Sequence, residues 1–211
     1  MKKYEFTGEV MVKYGVEFKR IKAIISFSNV KSGDVGGSIE KEENLNHAGD
    51  AWVSGDARVY GNAMVSGDAR VYGNAIVCGN AMVYGDAMVY GDAEVSGDVE
   101  VYGDAKVSGD ARVYGDAKVC GDAEVCGYVE VYGDARVSGD AEVLWSSKIG
   151  SRLGTTTAFK TASGVSISCG CFYGDLAKFE QAVEETHGNS KHGKEYKAFI
   201  MMVKAHFELE D

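Results

Sequence analysis

One feature constrains this chain more than any other. A valine stands at every sixth position from Val53 to Val143, sixteen in all and without an exception. The repeating unit reads Val-x-Gly-Asp-Ala-x, as in residues 107–112. A period of six is too short for helical solenoids, and it predicts the hexapeptide class of parallel β-helix.

Each unit contains a strand and a corner. Alanine and valine stand two positions apart, so both point to one side of a short strand, and the residue between them points outward. The glycine permits a positive φ angle at a corner, and the Asp or Asn that follows can bond the local backbone. We therefore expect three units of six residues to close one triangular coil, and the coils to stack by parallel strand pairing.

These units, Val107-Ser108-Gly109-Asp110-Ala111-Arg112 among them, resemble the hexapeptide-repeat family. The resemblance implies a left-handed parallel β-helix, whereas most parallel crossovers are right-handed. Residues 29–53 are similar to the N-terminal region of hexapeptide proteins of bacteria and phages that carry a transferase label, which rests on analogy of fold. The expected fold class is an all-β solenoid with an N-terminal β cap and a small C-terminal α+β module.

The chain divides into three expected segments. Residues 1–38 form the N-terminal β cap and a first irregular coil, residues 39–150 the β-helix, and residues 151–211 a C-terminal ββαα module. In the first segment, the β-rich runs Tyr4–Tyr14 and Val16–Phe27 predict a hairpin or small sheet. Such a cap would cover backbone groups that an open solenoid end leaves unpaired.

The repeat is irregular at both of its ends. Ile39, Leu45 and Val53 are separated by six and then eight residues, which predicts a two-residue insertion near residues 49–50. After Val143 the phase continues once, at Ile149, although Trp145 replaces the corner glycine. We therefore expect the solenoid to end near residue 150.

The last segment is expected to begin with a linker at Ser151–Thr157, followed by a hairpin of Ala158–Lys160 and Val165–Phe172. Asp175 is the expected N-cap of a first helix that ends near Gly188. The apolar faces of the two helices are Leu176, Phe179 and Val183, then Tyr196, Phe199, Ile200, Val203 and Phe207. This module resembles a C-terminal module of phage-type proteins.

Composition excludes several classes of function. The net charge of −10 argues against nucleic-acid and anionic membrane partners. No apolar run reaches 18 residues, so neither a membrane span nor a signal peptide is expected. Five cysteines without a disulfide-framework spacing favour a reduced, cytoplasmic setting.

The histidines argue against catalysis. Hexapeptide acyltransferases use a coil or loop histidine as general base, and the related γ-class carbonic anhydrases bind zinc through three coil histidines. This chain has His47, His187, His192 and His206, none of them between Val53 and Val143. Only His47 could act as a base, so the sequence favours a protein that is not an enzyme and needs no cofactor.

Two groups of residues could bind metal. Positions 18 apart form acidic rows, which have three interpretations: solvated corners, a calcium ladder, or an imitation of a phosphate backbone. The rows are Asp68, Asp86, Asp104, Asp122 and Asp140; Asn62, Asn80, Asp98, Asp116 and Asp134; and Asp56, Asn74, Asp92 and Asp110. Cys169, Cys171, His187 and His192 could hold zinc, but Cys171 also suits a buried strand position and His187 a helix end. We expect no metal.

The outward positions predict an interface. In the first regular coils these positions are apolar, and stacked tyrosines lie beside them: Met64, Ile76, Met82, Met88, Tyr72, Tyr84, Tyr90 and Tyr102. In later coils they carry stacked opposite charges, which suit register and solubility. Ser108, in the position after a valine, is also expected to point outward.

These features favour a non-catalytic scaffold that acts by protein–protein interaction. An apolar outer surface suggests self-association, and the family resemblance implies a trimer; a further protein partner is also expected. One alternative is a hexapeptide-type acyltransferase that uses an acyl-CoA donor. The other is a phage-encoded anti-defence protein that blocks a host protein or sequesters a small ligand.

Overall fold

The computed structural model describes residues 1–133, 135–138, 143–161 and 164–209. The chain forms a parallel β-solenoid with a β-hairpin at its N-terminal end and a module of strands and helices at its C-terminal end. The predicted solenoid is therefore confirmed.

The short strands of the solenoid form three parallel sheets, which we call faces 1, 2 and 3. Face 1 contains β3 (Val35–Ile39), β5 (Arg58–Val59), β8 (Ile76–Val77), β11 (Glu94–Gly97), β14 (Arg112–Gly115) and β17 (Glu130–Val131). Face 2 contains β4 (Trp52–Val53), β7 (Arg70–Val71), β10 (Met88–Val89), β13 (Lys106–Val107) and β16 (Glu124–Val125). Face 3 contains β6 (Met64–Val65), β9 (Met82–Val83), β12 (Glu100–Val101), β15 (Lys118–Cys120) and β18 (Arg136–Ser138).

The core of the solenoid is a column of valine and alanine side chains. Val83 pairs with Val65 on one side and Val101 on the other, which is the expected offset of 18 residues. All three are fully buried, as are the alanines Ala81 and Ala87. The predicted inward and outward alternation is thus confirmed for the strand residues.

Glycine is required at the corners. Gly85 has a φ angle of 71°, and a Cβ atom there would lie 3.0 Å from the backbone nitrogen of Gly103 in the next coil. The following residue continues the ladder, because the Asp86 N–H donates to the Gly103 carbonyl at 2.9 Å. A side chain would therefore be strained by its backbone conformation and crowded by the neighbouring coil.

The position after each valine is less uniform than expected. The prediction that Ser108 points outward to solvent is wrong, because this serine is only 8% exposed. It follows Tyr90 in a column of residues 18 apart. Cys78 is buried to the same extent, one position along its column from Tyr60.

The first coil contains the predicted insertion. Ile39 pairs with Val59 and Leu45 with Val65, each at an offset of 20 residues, whereas Val53 pairs with Val71 at 18. A 3₁₀ turn at Glu42–Asn44 precedes Leu45. The extra two residues therefore lie between Leu45 and Val53, as the spacing predicts.

The N-terminal hairpin joins face 1. Strands β1 (Tyr4–Lys13) and β2 (Val16–Ala23) pair around a two-residue turn at Tyr14 and Gly15, whose φ angles are 55° and 76°. Strand β2 pairs with β3, so the hairpin extends the solenoid sheet at its edge. Tyr4 from the base of the hairpin packs into the first coil, which confirms a cap at this end.

The C-terminal module differs from the predicted ββαα order. It contains a four-stranded antiparallel sheet, formed by β19 (Val143–Ile149), β20 (Gly154–Thr161), β21 (Gly164–Cys169) and β22 (Phe172–Asp175). Ile149 lies in this sheet and not in a further coil, because residues 144–148 contain no glycine to turn a corner. Much of the expected linker is strand β20, and part of the hairpin turn, at Ser163, lies outside the described residues.

Two helices pack on this sheet: α1 (Leu176–His187) and α2 (Lys191–His206). The Asp175 carboxylate accepts a hydrogen bond from the Lys178 N–H at 2.8 Å, which confirms the predicted N-cap. Gly188 ends α1, also as predicted. In the described part of the chain, neither helix is long and apolar enough to cross a membrane.

Candidate functional site

The structure divides the predicted interface among the three faces. Four of its residues share face 3, and we call them the face 3 patch: Met64, Met82, Tyr84 and Tyr102. Met88, Tyr72 and Tyr90 lie on face 2, and Ile76 lies on face 1. The eight residues therefore do not form one surface, because successive units of the repeat belong to different faces.

The face 3 patch is continuous. Met64 and Met82 are opposite each other in adjacent strands, and they are 37% and 36% exposed. The rings of Tyr84 and Tyr102 stack at 5.0 Å with an interplanar angle of 5°. An apolar area of this kind on an outer face is typical of an interaction surface.

Polar groups border the face 3 patch on the C-terminal side. The Tyr84 hydroxyl donates to the Glu100 carboxylate at 3.1 Å, and Lys118 donates to the same carboxylate at 2.5 Å. Partial burial, together with the bond to Glu100, raises the pKa of Tyr84 to about 12. The lysine bond holds the pKa of Glu100 below its usual range, so the rim stays charged at neutral pH.

On the other two faces, the predicted apolar residues have charged neighbours. Met88 pairs with Arg70 and Lys106, and Ile76 pairs with Arg58 and Glu94. The stacked pair Tyr72 and Tyr90 is nevertheless present on face 2, with ring centroids 4.9 Å apart. Face 3 is thus the most apolar of the three outer surfaces in the first regular coils.

The predicted ion pairs of the later coils are confirmed. Lys106 and Glu124 are 2.7 Å apart, and Arg112 and Glu130 are 3.8 Å apart. The hydrogen bond that Lys106 donates to the Glu124 carboxylate raises the pKa of Lys106. Both pairs join strands of neighbouring coils, where exposed ion pairs favour the correct register but are screened by solvent.

The corner rows are partly ladders of amide and carboxylate groups. The Asn74 amide donates to Asp92 at 2.8 Å, and the Asn80 amide donates to Asp98 at 2.7 Å. Asp134 and Asp140 lie outside the described residues. In the part of the chain that the structure describes, no group of three or more His, Cys, Asp or Glu residues is arranged to hold a metal ion.

His47, the one candidate base near the coils, is held inside the N-terminal cap. Its ring stacks on Tyr4 at 4.3 Å, and its Nδ1 atom accepts from the Lys3 N–H at 3.3 Å. Its Nε2 atom is buried, 3.8 Å from the Glu42 carboxylate. Desolvation lowers the pKa of His47, although Glu42 opposes this effect. A buried ring nitrogen is poorly placed to take a proton from a substrate.

The four zinc candidates do not form a common centre. The thiol of Cys169 accepts from the Thr156 hydroxyl at 3.1 Å and lies 3.5 Å from the Tyr196 hydroxyl. Cys171 is exposed, so the alternative of a buried strand position for this residue is wrong. It lies in the tight turn between β21 and β22. His187 ends α1, as predicted, while His192 lies 3.4 Å from the Glu195 carboxylate.

The sequence did not indicate a cleft in the C-terminal module. This cleft has a volume of about 400 Å³ and an apolar lining that includes Ile149, Phe172 and Phe179. Arg152, Cys169 and His187 also line it. These residues come from three strands, a turn and a helix, so no local pattern in the sequence brings them together.

The tip of the N-terminal hairpin is a second exposed feature, and it carries three apolar side chains. Val10, Met11 and Val12 are 54%, 43% and 71% exposed. Three consecutive apolar residues break the alternation of a half-buried strand, so the sequence does contain a signal for this exposed apolar surface.

The fold and its outer surfaces define a repeat β-solenoid protein. The family model described as YdcK Beta solenoid repeat matches residues 51–67, 57–73 and 77–91, all within the regular coils. The chain is similar to that repeat over these segments. Among curated proteins, none matches the chain.

Proposed function

We propose that this protein is a non-catalytic scaffold that binds protein through the outer surface of its solenoid. The observation that carries the proposal is the face 3 patch, in which two exposed methionines lie in register beside a stacked tyrosine pair. Methionine and tyrosine are enriched in protein interfaces, and a polar rim such as Glu100 with Lys118 is typical of their borders.

The first occupant that we propose for this patch is a second copy of the chain. Left-handed winding and a trimer are part of the proposal, since the resemblance to hexapeptide-repeat proteins implies both. A closed ring of identical subunits buries the same patch on every copy and leaves none exposed.

The test compares the same change on different faces. The double variant Met64→Glu, Met82→Glu places two carboxylates on face 3, whereas the matched control Ile76→Glu changes the same position of the repeat on face 1. We expect the double variant to lower the mass measured by light scattering to that of a smaller species, and the control to keep the wild-type mass. Far-ultraviolet circular dichroism of all three proteins checks that the solenoid is intact.

Two results would contradict the proposal. One is an unchanged mass in the double variant. The other is a wild-type protein that remains a 22.6 kDa monomer at every concentration and captures no protein.

The cleft in the C-terminal module supports a second candidate function, the binding of a small ligand. Its volume of about 400 Å³ lies within the range of small-molecule sites. With an apolar lining and Arg152 beside it, the cleft suits a small anion with an apolar body. Calorimetry with medium-chain carboxylates tests this candidate, and Arg152→Gln should weaken any binding that depends on the charge. No heat of binding, or the same heat of binding in the wild type and in Arg152→Gln, would argue against this ligand site.

A further inference from the structure

The outer edge of β1 is unpaired in the described structure. Strand β1 pairs only with β2 and forms one edge of the eight-stranded sheet that includes face 1. Exposed strand edges invite pairing with another chain, and natural proteins usually blunt them with bulges, proline or charge. The side chains along this edge, Val10, Met11 and Val12, are instead apolar and exposed.

An irregularity in the pairing interrupts only the first part of the exposed β1 edge. The register of β1 with β2 shifts between Phe6 and Val10, and Gly8 in this interval has a φ angle of 91°. From Val10 to Lys13 the pairing with β2 is regular. The regularly paired part of the edge is therefore the stretch from Val10 to Lys13, and Glu9 directly precedes it.

We propose that Glu9–Lys13 is a self-pairing edge, which joins β1 to β1 of a second copy of this chain in antiparallel orientation about a two-fold axis at Met11. The hydrogen-bond pattern of the hairpin supports this register. Lys13 and Val16 close a two-residue turn, and such a closing pair is hydrogen-bonded across the hairpin. Because the pattern alternates, Met11 bonds to β2, whereas Val10 and Val12 direct their N–H and C=O groups outward.

With the two-fold axis at Met11, the outward N–H and C=O groups of Val10 and Val12 face the same groups of the second copy. Val10 of one copy then lies opposite Val12 of the second copy, and the two such pairs form four backbone hydrogen bonds. Met11 lies opposite Met11 in a pair without hydrogen bonds, where the side chains approach most closely. The exposed apolar surface of the hairpin tip is covered on both copies.

The charges favour the same axis. With the axis at Met11, Glu9 lies opposite Lys13 of the second copy, so each dimer gains two opposite-charge pairs. An axis at Glu9 or Lys13 places like charges opposite each other, and an axis at Val10 or Val12 leaves both charges without a partner. Other charges of the hairpin already have partners: Lys22 pairs with Glu5 and Lys19 with Glu17, while Arg20 pairs with Asp56 of the solenoid. Glu9 and Lys13 take part in no recorded ion pair of the described structure, and the Lys13 ammonium lies over the Tyr14 ring at 5.1 Å.

Complementarity of this kind points to a second copy as the occupant. The stretch Glu-Val-Met-Val-Lys is symmetric in size about its centre and opposite in charge at its ends. A strand of another protein would match it only by chance, whereas an identical strand in antiparallel orientation always does.

Charge exchange provides the first test. Glu9→Lys alone places two lysines opposite each other, and Lys13→Glu alone places two glutamates opposite each other. We expect each single variant to raise the dissociation constant of this contact on the order of tenfold, and the double exchange to restore it. Sedimentation velocity over a range of concentrations measures the constants. Equal dissociation constants for the two single variants and the double exchange would overturn the proposal.

Engineered cysteines provide a test of the register. Across the axis, the two Met11 Cα atoms of such a pair would lie about 4.5 Å apart, within the range that a disulfide bridges. The two Val12 Cα atoms would lie about 8–9 Å apart, which is too far. Under mild oxidation we expect Met11→Cys to form covalent dimers, and Val12→Cys and the wild type to form few. Equal yields from Met11→Cys and Val12→Cys, or no dimer from either, would overturn the register and with it the proposal.

Val12→Pro separates this contact from the hairpin fold. It removes an N–H group that points away from β2, and proline is tolerated at such edge positions. The variant should keep its circular dichroism and lose the contact, while the face 3 variants should leave the Met11→Cys crosslink unchanged. Loss of that crosslink on changing face 3 would mean that the edge has no independent contact, and would overturn this proposal but not the one for face 3.

Discussion

Replacing Val83 by aspartate tests the assignment of the core most severely. Val83 is fully buried, and its neighbours in the column are the side chains of Val65 and Val101. The same strand, β9, provides the matched control, since the preceding residue Met82 points outward and is 36% exposed. Val83→Asp and Met82→Asp thus make a similar chemical change one residue apart, on opposite sides of the same backbone.

Three contributions set the size of the effect. To remain neutral in the core at pH 7, the new carboxyl must be protonated about three pH units above its ordinary pKa of about 3.9, which costs about 4 kcal/mol. A neutral carboxyl without hydrogen-bond partners costs about 1–3 kcal/mol more. The lost burial of the valine adds about 1.5–2 kcal/mol. We therefore expect Val83→Asp to lower the free energy of unfolding by about 7–9 kcal/mol, and Met82→Asp by less than about 1 kcal/mol.

Guanidinium chloride unfolding, followed by far-ultraviolet circular dichroism, measures both variants. At pH 4 the protonation cost nearly vanishes, so the difference between the variants should shrink by about 4 kcal/mol. If Val83→Asp does not fold at pH 7, Val83→Thr introduces a hydroxyl at nearly constant shape and should cost about 1–3 kcal/mol. Equal losses in the Val83 and Met82 variants, or a difference that does not change with pH, would refute the inside and outside assignment.

Other positions give further predictions. Gly85→Ala should destabilise the protein by about 2–4 kcal/mol, because its positive φ angle and the neighbouring coil both oppose a new Cβ atom. Gly15→Ala is the control: Gly15 has a similar φ angle but open space around it, so the change should cost only about 1–2 kcal/mol. Equal losses of stability in chemical denaturation would exclude crowding between coils. Burial lowers the pKa of Lys3 to about 8, so the folded chain loses this proton before the unfolded chain does, and stability should rise between pH 8 and about 10.5 in the wild type but not in Lys3→Met. Desolvation lowers the pKa of His47, so the unfolded chain binds a proton more readily, and stability should fall as the pH drops below about 6.5; His47→Phe should remove this slope in thermal unfolding.

The regular part of the fold could be predicted from the sequence because one rule repeats there. The spacing of Val65, Val83 and Val101 specifies strand, face and coil at once, and even the insertion between Leu45 and Val53 follows from a change in that spacing. In such a solenoid each coil contacts only its neighbours, so local periodicity contains nearly all of the tertiary information.

The ends could not be predicted as well, because their contacts join residues far apart in sequence. Strand β19 reads as a continuation of the repeat, and only its antiparallel partner β20 shows that the chain has left the solenoid. The cleft beside α1 depends in the same way on several elements. Ser108 illustrates a smaller failure: its position in the unit predicts exposure, but its side chain is only 8% exposed.

The residues of the predicted interface are separated in the structure for a geometric reason. Met82 and Met88 are both apolar and only six residues apart. Successive units of the repeat belong to different faces, so these two side chains lie on different surfaces of the solenoid. Residues 18 apart are the ones that share a surface, as the Tyr84 and Tyr102 rings do. A search for surfaces on this chain must therefore compare every third unit.

The two proposed contacts imply different symmetries, and their combination has a measurable consequence. The β1 edge pairs about a two-fold axis, whereas the face 3 patch is proposed to close a three-fold ring. If the two axes intersect at a right angle, the two contacts generate a closed assembly of six chains of 22.6 kDa each. Other arrangements of the axes generate a larger closed assembly or an open array. Disruption of one contact leaves the other, so the Val12→Pro variant should stop at a trimer and the Met64→Glu, Met82→Glu variant at a dimer. The masses of these two variants therefore identify which contact belongs to which axis, independently of how large the wild-type assembly is.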